Sequence, residues 1–274
     1  MAIDKKLYPF GGNNAIQNVV FAVEWGDQLS TGELRTIRAL HEDPKNTEFR
    51  KTFTKIDEPQ MLTINIDGKS MQNNNVNEIG GVHFTRPSIS NVSVVSKALN
   101  ISRQNCLAVI VEYSRWDTVW PEVRKWIQLV LPTILPTHAV TALGLQYVDV
   151  FFWKADPAEL NLREVLSENS KLLPKNIFDT PNLWHSHHGY IDKCEANSPY
   201  EVLENINVNM LDTNGQRSIQ ILTSHRAQLK APIWTYDNFS SGLDQFMPQL
   251  HERNKSILRD LLMPEVQAMI KLKS

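Results

Sequence analysis

The stretch that decides the fold is residues 117–153, DTVWPEVRKWIQLVLPTILPTHAVTALGLQYVDVFFW. In its first half, apolar residues recur at steps of three and four positions, at Trp120, Val123, Ile127, Val130, Leu131 and Ile134. This spacing predicts an amphipathic helix. The second half, residues 139–153, is rich in β-branched and aromatic residues and predicts a strand. The stretch therefore predicts a helix that packs on a sheet.

Further segments with alternating or β-branched composition extend this sheet on both sides. They are residues 16–25, 105–114, 183–192, 200–212 and 217–229. Asp67-Gly68 and Thr213-Asn214-Gly215 predict hairpin turns, because glycine tolerates positive φ. Near the C-terminus, Ser241 followed by Asp244 is typical of a helix start, and a second long apolar stripe follows it.

These elements predict an α+β protein with a largely antiparallel, curved sheet. We expect the sheet to lie in two halves, each covered by a long amphipathic helix. The halves would be residues 1–155 and residues 156–274, the second ending in the long terminal helix. One continuous domain is also compatible with the sequence.

Composition narrows the classes of function. A net charge of −2 over 274 residues argues against nonspecific binding of polyanions as the main task, although a local basic patch leaves nucleic acid open as a partner. The two cysteines are too few for a disulfide framework, and charges interrupt the longest apolar run. We expect a cytoplasmic protein without a membrane partner. Motifs of phosphate loops, dinucleotide sites and nucleophile elbows are absent from the sequence, so we expect no enzyme activity.

Histidines cluster in LWHSHHGYID, residues 183–192. His185 and His187 are two residues apart, so in a strand they share one face and can reach a common metal ion. His225 and Asp192 would complete such a site, which is the alternative to our expectation that no cofactor is bound. Structural histidines that pack and form hydrogen bonds are the other interpretation.

Two other groups of residues are candidates for binding. Trp184, His188 and Tyr190 fall on the opposite face of the same predicted strand, and such aromatic rows are common in protein interfaces. A polar pocket is predicted from Tyr113, Arg115, Gln146 and Asp149, if the strands that carry them are neighbours. In both cases a purely structural role, covering a sheet or starting a helix, is the competing interpretation.

Three segments carry a family resemblance. Residues 112–151, EYSRWDTVWPEVRKWIQLVLPTILPTHAVTALGLQYVDVF, resemble the centre of a sporadically distributed prokaryotic family of uncharacterised proteins of roughly 260 residues. In that family a Tyr-x-Arg-Trp element opens a helix that leads to a Gly-Leu-Arg-Tyr-Ile-Asn strand. Residues 242–266 and 16–26 are similar to its Leu-His C-terminal helix and its opening strand. Gln146 and Asp149 depart from the pattern, since Arg and Asn are usual there.

The resemblance implies an α+β protein without established catalytic residues, and a distribution like that of toxin–antitoxin and phage-defence genes. We therefore predict a non-enzymatic cytoplasmic binding or regulatory protein that acts on a macromolecular partner, in an antitoxin-like or defence-associated role. A protein partner is favoured, and self-association stays open. The alternatives are a metal-dependent hydrolase or nuclease that uses the clustered histidines, and a protein that binds a small nucleotide or metabolite.

Overall fold

A computed structural model describes residues 3–61, 63–67, 70–74, 78–180, 183–194 and 198–272, with the backbone alone at 63–67 and 70–74. The protein mixes helices and strands, and its large antiparallel sheet is not closed. This agrees with the predicted α+β class. Within the described residues, no helix is both long and apolar enough to cross a membrane.

The described strands are β1 Leu7–Pro9, β2 Ile16–Trp25, β3 Lys55–Asp57, β4 Thr63–Asp67, β5 Ser70–Asn74, β6 Gly81–Pro87, β7 Val95–Ser102, β8 Asn105–Ile110, β9 Val140–Trp153, β10 His185–Asp192, β11 Tyr200–Thr213 and β12 Gln216–Ile233. The α-helices are α1 Thr31–Ala39, α2 Thr47–Thr52, α3 Trp116–Ile134, α4 Tyr236–Leu261 and α5 Pro264–Met269. Short 3-10 turns cover Ile3–Lys5, Pro44–Asn46, Pro157–Glu159, Leu162–Glu164 and Lys175–Asp179.

The chain divides into two compact units that are not consecutive halves. Unit 1 combines Met1–Phe21, Ala142–Ala231 and Gly242–Ser274, and unit 2 combines Ala22–Thr141 and Pro232–Ser241. The chain leaves unit 1 within β2 and returns to it at the start of β9. Strand β1 pairs with β9, so the N-terminal strand belongs to the same unit as residues 142–231.

In unit 1 the strand order is β10-β11-β12-β9, with β1 also paired to β9. The turn between β11 and β12 is the predicted one: Thr213 lies opposite Gln216, and both Asn214 and Gly215 have positive φ. Two residues with positive φ are the signature of a type I′ turn. One face of these strands packs against α4 in an apolar core that includes Phe151, Trp153, Ile206, Val208, Ile219, Ile221, Leu258 and Leu261.

In unit 2, β8, β7, β6 and β3 follow one another as antiparallel neighbours. The periodic apolar residues of α3 are buried as predicted, and Trp126 packs edge-on to Phe53. Ser30 caps α1 in a full capping box with Glu33. The strands β4 and β5 form a separate antiparallel pair with Asp67 opposite Ser70, while Gly68 of the predicted turn lies outside the described residues.

The starts of the two long helices do not follow local cap chemistry. Arg115 is the N-cap residue of α3, and Asp117 lies in the first turn, where the helix dipole favours a carboxylate. Helix α4 begins at Tyr236, so Ser241 lies inside it rather than at its cap. Local cap chemistry did not predict these starts, because tertiary packing can extend a helix past a residue that would otherwise cap it.

Candidate functional site

Polar side chains interrupt the face of unit 1 that α4 covers. Glu204 of β11 lies directly opposite His225 of β12, and their side chains are only 1% and 0% exposed. His225 Nδ1 contacts the Glu204 carboxylate, and Arg253 of α4 donates to the same carboxylate at 3.0 Å. A buried carboxylate is tolerable when it is paired in this way.

Arg253 extends the network to the end of β10. Its guanidinium donates to Asp192 at 2.8 Å and reaches the Cys194 sulfur at 3.0 Å. The hydrogen bond from Arg253 lowers the pKa of Asp192. Burial opposes the charge of Arg253, but Asp192 and Glu204 outweigh it and raise the pKa of the guanidinium. The network therefore ties β10, β11, β12 and α4 together.

Three further hydrogen bonds join the sheet to the same part of α4. Tyr200 donates to Gln249, Thr223 donates to Asn254, and the Tyr147 hydroxyl lies 2.8 Å from His251 Nδ1. We call the whole set the polar layer: Tyr147, Tyr200, Glu204, Thr223, His225, Gln249, His251, Arg253 and Asn254. The polar layer lies next to the apolar core along α4. In this part of the contact between α4 and the sheet, hydrogen bonds take the place of hydrophobic packing.

Asp149 lies on the same side of β9 as Tyr147, since the two are two residues apart in one strand. It is 1% exposed, and burial raises its pKa from 3.8 to about 7. Its Oδ2 and the Nε2 of His225 have no hydrogen-bond partner among the described residues. His225 is fully buried, so its Nε2 is not in contact with solvent in this structure.

Strand β10 lies at one end of the strand order, with β11 on one side. Its side chains are exposed or half-exposed along the whole strand. Because Tyr190, Glu204 and His225 are successive cross-strand partners, the even-numbered residues of β10 point to the face that carries the polar layer. The odd-numbered residues point to the opposite face.

On that opposite face, the strands β10 and β11 form an open hollow of about 420 Å³. Its lining is His187, Gly189, Tyr190, Ile191, Leu203 and Asn205. Gly189 leaves room there: a Cβ at this position would come within 2.8 Å of the Asn205 side-chain oxygen. The lining thus combines apolar side chains with the amide group of Asn205.

The residues of the predicted metal site do not come together. His185 and His187 do share a face of β10, but His225 belongs to the buried opposite face, and Asp192 is bonded to Arg253. A site that uses all four is therefore not formed. Over the described part of the chain, no group of three or more histidine, cysteine, aspartate or glutamate side chains could hold a metal ion.

The predicted partner-binding residues Trp184, His188 and Tyr190 share the polar-layer face. The rings of His188 and Tyr190 are in contact, 5.4 Å apart between centroids, and both are exposed. Trp184 differs from them, because it is half-buried against the apolar core of unit 1. Only His188 and Tyr190 are therefore available as an accessible pair.

The four residues of the predicted polar pocket lie in different parts of the structure. Gln146 and Asp149 are three residues apart in β9, so they face opposite sides of the strand and cannot line one pocket. Tyr113 and Arg115 precede α3 in unit 2. Glu112, next to Tyr113, accepts a hydrogen bond from Ser88.

The sequence reasoning missed Glu204, Arg253 and Asn254, which hold the polar layer together. One signal was present: Glu204 falls in the buried register of β11, between Val202 and Ile206. A charged residue in an otherwise apolar register predicts a buried partner. The partner itself could not be predicted, because Arg253 is 49 positions away.

Comparison with known proteins gave no family model and no curated protein that matches this chain.

Proposed function

We propose that the protein acts by binding a protein partner, and that the partner adds an extended strand to the edge of β10 that no other described strand pairs with. The observation that carries the proposal is the pairing pattern of this strand. Met210 N donates to Trp184 O, so even-numbered residues of this segment direct their backbone groups toward β11. In an antiparallel pair the direction alternates, which leaves the N–H and C=O groups of His185, His187, Gly189 and Ile191 pointing outward.

The side chains of β10 do not protect this edge. Proteins usually blunt an open edge with lysine, proline or inward charges. The sequence of β10, HSHHGYID, contains no lysine, arginine or proline, and its one acid is bonded to Arg253. Ile191 is 63% exposed at the same edge, beside the exposed Leu203. Unprotected edges of this kind recruit a further strand in peptide-binding proteins.

The polar layer supports this proposal by holding β10 in position. Asp192 fixes the end of the strand to Arg253, and Arg253 in turn rests on the buried Glu204. An edge that is held before a partner arrives loses less conformational entropy when it binds. Binding therefore needs no reactive group, and the polar layer acts as a support.

The wider role follows from the resemblance described above. We propose a cytoplasmic regulatory protein in an antitoxin-like or phage-defence-associated setting, and a curved sheet in two halves, each covered by a long helix, as its scaffold. A protein partner is favoured over nucleic acid, because the edge offers backbone and apolar groups rather than positive charge.

Partner capture from the native host tests the proposal. The variant Gly189→Pro/Ile191→Lys removes an outward N–H and adds a charge, and proline is tolerated on an edge strand. Ile89→Lys is the matched control, because Ile89 is 88% exposed in unit 2. We expect a protein that the wild type and the control retain and the β10 variant loses.

The captured protein must then bind purified wild-type chain and slow hydrogen exchange at the amides of His185, His187, Gly189 and Ile191. Equal binding to the β10 variant, or unchanged exchange at these amides in the complex, would show that the proposed edge is not the site.

A further inference from the structure

We infer that β10 pairs with β10 of a second copy of this chain, so that two copies form a dimer with one continuous sheet. This inference rests on the proposed use of β10 for strand pairing and names its partner. It follows from three features of the strand: the symmetry of its outward backbone groups, the hollow beside Gly189, and the distribution of its charges.

Symmetry fixes which residues can face each other. Two identical antiparallel neighbours in a sheet are related by a two-fold axis perpendicular to the sheet, so facing residues lie on the same side and share parity. The outward backbone groups belong to His185, His187, Gly189 and Ile191. All of them find partners when His185 faces the second copy's Ile191 and His187 faces the second copy's Gly189. The axis then passes beside His188.

The hollow fits this arrangement. Pairing places the imidazole of the second copy's His187 opposite Gly189, which has no side chain of its own and lies beside the Asn205 side chain. The hollow of about 420 Å³ lies on the same face and next to this position. Asn205 lines it, and its side-chain amide forms no hydrogen bond to another described residue, so it is free to bond the incoming imidazole. By symmetry, each copy offers both the imidazole and the hollow.

Charge does not oppose the pairing. On the polar-layer face, His188 meets its equivalent across the axis and Ser186 meets the second copy's Tyr190. Asp192, the one acid of β10, lies at the strand end and is neutralised by Arg253. The exposed Ile191 is covered by the second copy's His185. An edge of 8 residues is about 26 Å long at the usual rise per residue.

Sedimentation of the purified full-length chain over a range of micromolar concentrations tests the inference. We expect a monomer–dimer equilibrium whose dissociation constant rises by about a hundredfold in Gly189→Pro/Ile191→Lys, since each change acts on both sides of the two-fold axis. Ile89→Lys should leave the constant unchanged. Circular dichroism confirms that each variant is folded.

A cysteine variant tests the register without depending on a destabilising change. His188→Cys should form an intermolecular disulfide under mild oxidation, because residues facing each other across the axis are about 4.5 Å apart between Cα atoms. Gly189→Cys should not, since its equivalent is displaced along the strand. The parent chain, with Cys106 and Cys194, gives the background.

A chain that stays monomeric across the whole range, or a dimer that the β10 variant does not weaken, overturns the inference. A disulfide at Gly189→Cys in place of His188→Cys overturns the register and with it the fit to the hollow. A monomer that nevertheless binds a different captured protein at β10 overturns the inference alone and leaves the proposed function standing.

Discussion

Replacing Glu204 with glutamine tests whether the polar layer holds unit 1 together. The substitution keeps the shape of the side chain but removes its charge. Glu204 is 1% exposed and contacts both Arg253 and His225. Each hydrogen bond to a charged group contributes about 1.5–3 kcal/mol. Because Arg253 keeps Asp192 as a partner, we expect a loss of about 3 kcal/mol in the free energy of unfolding, at the low end of the range for breaking a buried ion pair.

Urea unfolding followed by tryptophan fluorescence measures this loss, and the chain has 7 tryptophans as probes. Glu201→Gln is the matched control. Glu201 belongs to the same strand on the opposite face, is half-buried, and makes no ion pair with a described residue. We expect the control to change the free energy of unfolding by less than about 0.5 kcal/mol.

A double-mutant cycle separates the ion pair from other effects of the substitution. Arg253→Met should cost less in the Glu204→Gln background than in the wild type, with a coupling energy of about 1–3 kcal/mol. If Glu204→Gln unfolds within about 0.5 kcal/mol of the wild type, or if the two changes are additive, the polar layer does not stabilise unit 1 as argued.

Three further predictions concern other parts of the chain. Burial raises the pKa of Asp149 from 3.8 to about 7, so the folded state holds a proton that the unfolded state has lost, and stability should fall as the pH rises between these values. Asp149→Asn should abolish that fall and exceed the wild type in stability above neutral pH; a parallel pH dependence of both proteins in urea titrations would contradict this. Ser30→Ala should remove the capping box of α1 and cost about 1 kcal/mol of unfolding free energy, while Ser93→Ala in an exposed loop should be neutral, and equal effects of the two would disprove a capping role. Leu258→Ala should cost about 2–5 kcal/mol by leaving a cavity in the core of unit 1, and calorimetry showing an unchanged melting temperature would mean that α4 does not pack there.

The sequence predicted the elements whose signals are local. The apolar spacing of α3 gave its buried face, because the period of a helix depends only on neighbouring residues. Asn214-Gly215 indicated a tight hairpin, because this signal depends on backbone chemistry within a few positions. Helix α4 was predicted to begin too late, since packing extended it to Tyr236.

The candidate site was less accessible to this reasoning. The sequence placed His185 and His187 on one face of a strand, and the structure agrees. The sequence could not show that His225 lies on the opposite face of the sheet from His185 and His187. Alternation assigns the residues of one strand to two faces, but it does not give the register between two strands. Gln146 and Asp149 cannot line one pocket for a simpler reason. They are an odd number of residues apart in β9, so their side chains lie on opposite faces of the strand.

The sequence by itself determined the class of the fold and the faces of its strands and helices, because hydrophobic period and turn chemistry are local properties of the chain. Only the tertiary structure decided that Arg253 meets Glu204 and Asp192, and that β10 is the last described strand at one end of the strand order. Pairing order and long-range contacts depend on how distant parts of the chain pack together, so local sequence patterns do not determine them.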